Sequence, residues 1–158
     1  MFNFPFVVLS VLLVLCSLCR GSEDAKVLAR VLKVLQKDGF KPSWVIDGGA
    51  NVGKWSTDMI TLLPGVSILM LDANDRHIPV LGEAAASFKA RHPSAHYDYK
   101  IGLLGDEQGR NVSFYARTEK LFHTGDSMFK ESTKAYSGQG RNSFKKVTVP
   151  MHTIDNLF

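Results

Sequence analysis

A chain of 158 residues has room for one domain, and at 45% hydrophobic and 22% charged its composition is that of an ordinary globular protein, which excludes disorder as the default state. The net charge of +4 is mild, and no RNA- or DNA-binding motif accompanies it, so nucleic acid is not an expected partner.

Residues 4–19 carry no charge and are almost wholly apolar, with Pro5 near the start and Ser17 and Cys19 near the end. The run is shorter than the roughly 20 apolar residues of a spanning helix and has the pattern of a secretory h-region, with small residues placed for cleavage. No Lys or Arg precedes it, which keeps an uncleaved anchor open. Residues 1–21 are therefore expected to be a signal peptide or a membrane anchor, which places the chain in the secretory pathway (ER or Golgi lumen, or secreted) or on a membrane. Both cysteines, Cys16 and Cys19, fall inside the run, so a cleaved product has neither thiol nor disulfide and cysteine usage does not identify the compartment. Asn111-Val112-Ser113 is a formal N-glycosylation acceptor, consistent with a lumenal route.

From Ser22 the pattern turns helical. Val27, Leu28, Val31, Leu32 and Leu35 recur at helical spacing, Glu23 and Asp24 sit at the N-terminal end, and Gly39 closes the segment. This helix is expected to pack on a sheet. The chain then reaches Val45-Ile46-Asp47-Gly48-Gly49-Ala50-Asn51-Val52-Gly53, an apolar run that stops at an acid and turns through three glycines into a new helical pattern. That order describes a strand, a tight turn and a helix start, with glycine where φ must be positive or where a ligand must touch bare backbone.

The residue types in the turn narrow the ligand. Gly48, Gly53 and Lys54 fall on the P-loop spacing, but Trp55 stands where a Mg²⁺-binding hydroxyl is needed, which leaves only Ser56 to take that role. Ala50 replaces the second glycine of the dinucleotide fingerprint, and Asp47 beside the turn repels phosphate. A carboxylate there suits a ligand with an ammonium and a sulfonium group and no phosphate, a description that S-adenosylmethionine (SAM) meets.

Trp55, Met59, Ile60, Leu62 and Leu63 form the apolar face of the next helix, which ends before Pro64-Gly65. Residues 66–71 are a short apolar run of the kind buried on both faces of a parallel sheet. It ends in Asp72, about 20 residues past the glycine turn, where a nucleotide-binding βαβ unit places the acid that accepts from ribose hydroxyls; this acid serves SAM and NAD alike. Residues 78–91 give a third helix with Leu81, Ala85 and Phe88 on one side, and residues 96–101 a weaker strand. A loop is expected at residues 102–106. Residues 112–116 and 146–150 read as strands that pair across a polar stretch in which Lys130, Lys134, Arg141, Lys145 and Lys146 collect positive charge. That charge fits a solvated face, or a patch for an anionic glycan, lipid headgroup or nucleic acid, the last without any accompanying motif. No metal-ligand spacing appears, and the five histidines are scattered.

Asp47-x-Gly49-x-Asn51-x-Gly53 resembles the first motif of class I SAM-dependent methyltransferases, and Asp47-Gly48-Gly49-Ala50-Asn51-Val52-Gly53 is similar to the version found in the FkbM family. Leu71-Asp72-Ala73-Asn74 resembles that family's acid-containing second strand end, Thr124-Gly125-Asp126-Ser127-Met128 its Gly/Ser turn, and the segment from Val149 through Thr153-Ile154-Asp155-Asn156-Leu157 its "tLDdl" stretch. Only the first motif is specific alone; the order and spacing of all four carry the resemblance, over about residues 40–158.

The resemblance implies an α/β fold, a Rossmann-like class I methyltransferase sheet of which this chain holds the first three strands plus a hairpin, with residues 22–158 the N-terminal part of the domain. In the family the "tLDdl" stretch comes just before a fourth strand that lies beside the first. The chain is accordingly expected to be a fragment or a short relative, in which a partner or a C-terminal half covers the exposed edge of the first strand. The implied cofactor is SAM, contacted by Asp47, Gly48, Gly49, Asn51, Gly53, Asp72, Asn74, Leu104 and Asp106, with Asp47 and the turn at its amino-acid end, Asp72 at its ribose, and Leu104 and Asp106 against adenine. The implied activity is O-methylation of a sugar, lipid or secondary metabolite, by a general base that the sequence does not identify. The alternatives are an NAD-binding oxidoreductase and a catalytically inactive or truncated SAM- or nucleotide-binding module.

Overall fold

The computed structural model describes residues 22–117, 128–129 and 144–157. The apolar run at 4–19, Cys16 and Cys19, the turn residues Thr124-Gly125-Asp126-Ser127, and Lys130, Lys134 and Arg141 lie outside the described residues. In chain order the elements are α1 (Ser22–Lys37), β1 (Trp44–Gly48), α2 (Lys54–Leu62), β2 (Ser67–Asp72), α3 (Ile78–Arg91), β3 (Tyr97–Ile101), β4 (Leu103–Leu104), β5 (Asn111–Arg117) and β6 (Phe144–His152), with single 3₁₀ turns at Asp75–His77 and Ile154–Asn156. The fold is mixed α/β with two three-stranded sheets.

The first sheet is parallel in the order β1-β2-β3, with Trp44 opposite Ser67 and Ile68 opposite Tyr97. Its middle strand is the apolar run at 66–71 displaced by one residue, and all six of its residues are buried, as both faces of a central parallel strand require. Alternation along β2 sorts the core into two layers. Ile68 and Met70 meet Met59 and Ile60 of α2 and Leu81 and Phe88 of α3, whereas Leu69 and Leu71 face Trp44, Ile46, Leu104 and Leu157 on the other side. The first layer is the larger, and both crossover helices contribute to it. Phe88 meets the ring of Tyr97 edge-on at 5.7 Å, joining α3 to β3. Among the described strands β1 is an edge, as the sequence implied.

One expectation fails in α1. Leu28 and Leu32 pack on the helix layer, but Val27, Val31 and Leu35, expected on the same face, point outward with Val34. The helix meets α2 along one narrow line, with the Gln36 amide donating to Leu62 O at 3.3 Å, so only the leucine row is covered. Its end is as expected: Gly39 has φ of +89° and lets the Phe40 N–H return to Leu35 O at 2.9 Å.

The second sheet has the order β4-β6-β5. The expected hairpin is present, seven antiparallel pairs from Asn111 opposite Pro150 to Arg117 opposite Phe144, with Phe114, Ala116 and Val149 buried against Ala73. The expected loop at 102–106 is not wholly a loop. Leu103 and Leu104 pair in parallel with Met151 and His152, which makes the hairpin a three-stranded sheet. Gly102 N–H bonds Asp72 O at 2.8 Å and Gly105 N–H bonds His152 O at 3.0 Å, so the two glycines clamp β4 between the sheets. A Cβ on Gly102 would lie 2.7 Å from Pro150 O, and one on Gly105 would collide with the Met151 side chain. Those close approaches are what two isolated glycines in a short apolar run left illegible.

Candidate functional site

The carboxyl ends of β1 and β2 lie side by side, Gly48 opposite Leu71, and the chain leaving β1 folds over the end of β2 before α2 begins. Ligands of open α/β sheets bind at this end of the strands. Gly49, Asn51 and Gly53 all have positive φ (80°, 51° and 71°), which glycine adopts freely and Asn tolerates better than other residues. The turn is pinned by its own amides: Gly49 and Ala50 both donate to Leu71 O (2.8 and 3.0 Å), Asn51 N–H to Asp72 Oδ2 (2.7 Å) and Gly53 N–H to Ala50 O (2.8 Å). These N–H groups are thus engaged inside the turn and do not form a phosphate cradle. Gly53 is also a packing requirement, since a Cβ there would sit 3.2 Å from Met70 Sδ and 3.3 Å from Ala84 Cβ.

Two carboxylates are set into this corner. Asp47 is 6% exposed, and its Oδ2 accepts from Ser56 Oγ at 2.6 Å, joining the end of β1 to the first turn of α2. Burial pushes its carboxyl up to about 6; the hydrogen bonds from Ser56 oppose that rise and the nearby Asp72 charge adds to it. Asp72 is 7% exposed and receives three donors: Asn51 N–H on Oδ2, and Asn74 N–H (2.8 Å) and His77 Nδ1 (3.0 Å) on Oδ1. Asn74, also buried, caps the 3₁₀ turn by accepting from Arg76 N–H at 3.1 Å. That turn carries His77, 2% exposed, under Asp72.

Eight of the nine expected site residues belong to this corner. Asp47, Gly48, Gly49, Asn51, Gly53, Asp72 and Asn74 form the strand ends and turn, and Leu104 reaches them from β4, its Cδ1 3.3 Å from where a Gly48 Cβ would be. Leu104 is half-buried beside Leu69, Leu71 and Leu157, so it is held by the core as well. Asp106 is exposed in the connection from β4 to β5 and has no described hydrogen bond or ion pair to the turn. Sequence reasoning missed Ser56 and His77. In sequence Ser56 stands out only as a stand-in for the Mg²⁺ ligand of a P-loop, whereas in the structure its fully buried hydroxyl is spent on Asp47. The available signal was a strand-end acid followed by a serine in the first turn of the next helix. His77, treated as one of five scattered histidines, lies five residues past Asp72 at the end of a turn opened by Asn74, a spacing that brings the ring back to the carboxylate.

No group of three or more metal-ligating side chains occurs among the described residues. Chemically the corner is a poorly solvated pair of carboxylates over a rigid turn, suited to a ligand that brings positive charge and hydroxyl donors. Comparison with family models, with curated proteins and with solved structures found no match to the chain.

Proposed function

We propose that the chain carries the SAM-binding portion of an FkbM-like class I methyltransferase with a Rossmann-like sheet. One observation carries the reading: adjacent parallel strands end in Asp47 and Asp72, and the glycine turn between them donates its Asn51 N–H to the second acid. A cationic ligand fits Asp47, whose carboxylate is raised by burial and gains most from a positive neighbour. A ribose fits Asp72, because a carboxylate has about four acceptor sites and three are taken here.

In this reading the amides of the turn are already committed and Gly53 O is engaged by the Thr57 N–H and hydroxyl, so Gly49 and Gly53 serve by letting the amino-acid end of SAM approach bare Cα while Asp47 takes the ammonium. Asp72 orients the ribose, and Asn74 and His77 hold Asp72 in place. Leu104 offers an apolar surface for adenine beside Gly48. Bound SAM supplies a methyl group on a sulfonium that loses its charge on transfer. The protein's part is alignment and exclusion of water, and removal of the acceptor hydroxyl's proton falls to a base outside these residues. A hydroxyl on a sugar, lipid or secondary metabolite is the acceptor class the resemblance implies, and that step is analogy.

Calorimetric titration of the full chain with SAM and, separately, with NAD tests the reading. Saturable SAM binding that weakens at least tenfold in Asp72→Asn, with no NAD binding, is expected. NAD binding in place of SAM would transfer the site to an oxidoreductase. Affinity for SAM without turnover of any hydroxyl acceptor would make the chain an inactive binding module.

A further inference from the structure

The outward face of α1 is unused by the fold. Val27, Val31 and Val34 are 55%, 48% and 59% exposed, and at spacings of four and three residues they stack in one row along the helix. Arg30, Lys33 and Lys37, also exposed, form a second row about a quarter-turn round the axis. The buried row, Leu28 and Leu32, lies on the side facing the sheet. A helix that shows solvent a valine row beside a basic row has the pattern of an element lying in a membrane interface, with apolar side chains at the acyl boundary and cations among lipid phosphates.

Two observations select the occupant. The first is charge. A second copy packed antiparallel, valine row to valine row, would bring three cations of each copy toward three of the other, whereas an anionic lipid surface complements them. The second is position in the chain. The uncharged apolar run at 4–19 ends two residues before α1; Arg20 and Lys26 are offset by Glu23 and Asp24 between them, so the basic row begins at Arg30. A three-residue step spans at most about 10 Å, so a run held in a bilayer leaves the start of α1 at its surface. Retained as an anchor rather than cleaved, the apolar run is one attachment, and the basic helix beside it is a second. No helix among the described residues is long and apolar enough to cross a membrane, so α1 would lie on the surface.

We propose that the outer face of α1 docks on the anionic headgroup layer of a bilayer, through Val27, Val31 and Val34 at the acyl boundary and Arg30, Lys33 and Lys37 at lipid phosphates. This docking is independent of what the glycine-turn site binds.

The test uses the full chain carrying Val31→Trp, with the unsubstituted chain subtracted to remove Trp44 and Trp55. Vesicles of phosphatidylcholine alone, or with about a third phosphatidylserine, carry bromine on their acyl chains. On anionic vesicles the added tryptophan is expected to shift to the blue, to be quenched by the brominated lipid and to be shielded from iodide. Replacing Arg30, Lys33 and Lys37 by Gln is expected to reduce the docked population on the order of 100-fold, which reads as loss of bromine quenching. Val27→Trp provides a second reporter on the same row should Val31→Trp disturb the helix, and Glu83→Trp on α3 is the off-face control. Iodide access to both α1 reporters while the chain is bound would overturn the proposal, because attachment would then run through residues 4–19 alone. So would equal quenching with and without the three cations. A blue shift already present without lipid would assign the face to a second copy and overturn it as well.

Discussion

Replacing Asp47 by Asn separates the stability of the corner from its charge. The carboxyl is held at about 6 against an ordinary 3.8, with burial the largest cause. A carboxyl raised in the folded state binds its proton more tightly there than in the unfolded chain, so its favourable contribution is complete below about pH 4 and is lost as pH rises through about 6. At about 1.4 kcal/mol per pH unit the loss is roughly 3 kcal/mol. Asn removes the charge and leaves an oxygen to accept from Ser56, while its amide hydrogens replace a desolvated oxygen at a cost of about 1–3 kcal/mol if unpaired. The two effects offset each other at pH 8, where Asp47→Asn is expected to be neutral or more stable than the parent by up to ~3 kcal/mol. The pH dependence is the discriminating quantity. Urea unfolding from pH 3.5 to 8 is expected to show parent stability falling between about pH 4 and 6 from this group, and a variant curve lacking that fall. Curves that stay parallel across that window would refute the reasoning, because the carboxylate would then be no worse solvated folded than unfolded.

Gly53→Ala combines positive φ with close contacts to Met70 and Ala84, and it is expected to cost about 1–3 kcal/mol, read as a lowered urea midpoint at unchanged slope. His77→Ala removes a buried donor from Asp72 and leaves a cavity, so a loss of about 2–4 kcal/mol is expected, with His77→Gln recovering part of it by offering an amide N–H; both are read by thermal unfolding at pH 8. Leu81→Ala, at a fully buried position between α3 and the sheet, is expected to lose about 2–5 kcal/mol, whereas Val34→Ala on the outer face of α1 is expected to stay within about 0.5 kcal/mol, by the same assay.

The strand–turn–helix at residues 44–62 was legible because three of its signals are local: an apolar run, an acid at its end, and glycines where φ is positive. The limits of α3 follow from a segment bounded by an Asn-initiated turn on one side and His92-Pro93 on the other. Both strands of the hairpin were legible from residue type, although β6 runs to Phe144 on one side and His152 on the other. What escaped depends on distant contacts. Leu103 and Leu104 form a strand only because Met151 and His152 arrive from nearly fifty residues away, and a two-residue strand has no periodicity to detect. The valines of α1 share the helical spacing of its leucines, and the sequence does not record that the neighbouring helix covers one row and leaves the other in water. In the site, residue identities were visible and their partners were not: Ser56 under Asp47 and His77 under Asp72 are set by how the turn and the 3₁₀ turn fold back.

Those partners also explain how two acids coexist in one corner. Asp72 is surrounded by three donors, the Asn51 and Asn74 amides and His77 Nδ1, so its buried oxygens are satisfied from within the fold. Asp47 has Ser56 as its donor residue and lies close enough to Asp72 for that charge to raise it further. The pair is therefore divided, with one carboxylate internally compensated and the other short of positive charge. A purely structural acid at the end of β1 would be better served by the amide of Asn, which keeps the link to α2 without the desolvated charge. An acid that completes its coordination with a cationic ligand has to be left in the state Asp47 occupies. The same asymmetry fixes the sign of a linked proton. A cation arriving at Asp47 lowers its pKa, so below about pH 6 binding must expel a proton, whereas above that value none is released. Proton release on SAM binding at pH 5.5, absent at pH 8 and abolished by Asp47→Asn, would be seen as buffer-dependent calorimetric heats. A ligand held through Asp72 alone would give the same heats in every buffer at both pH values.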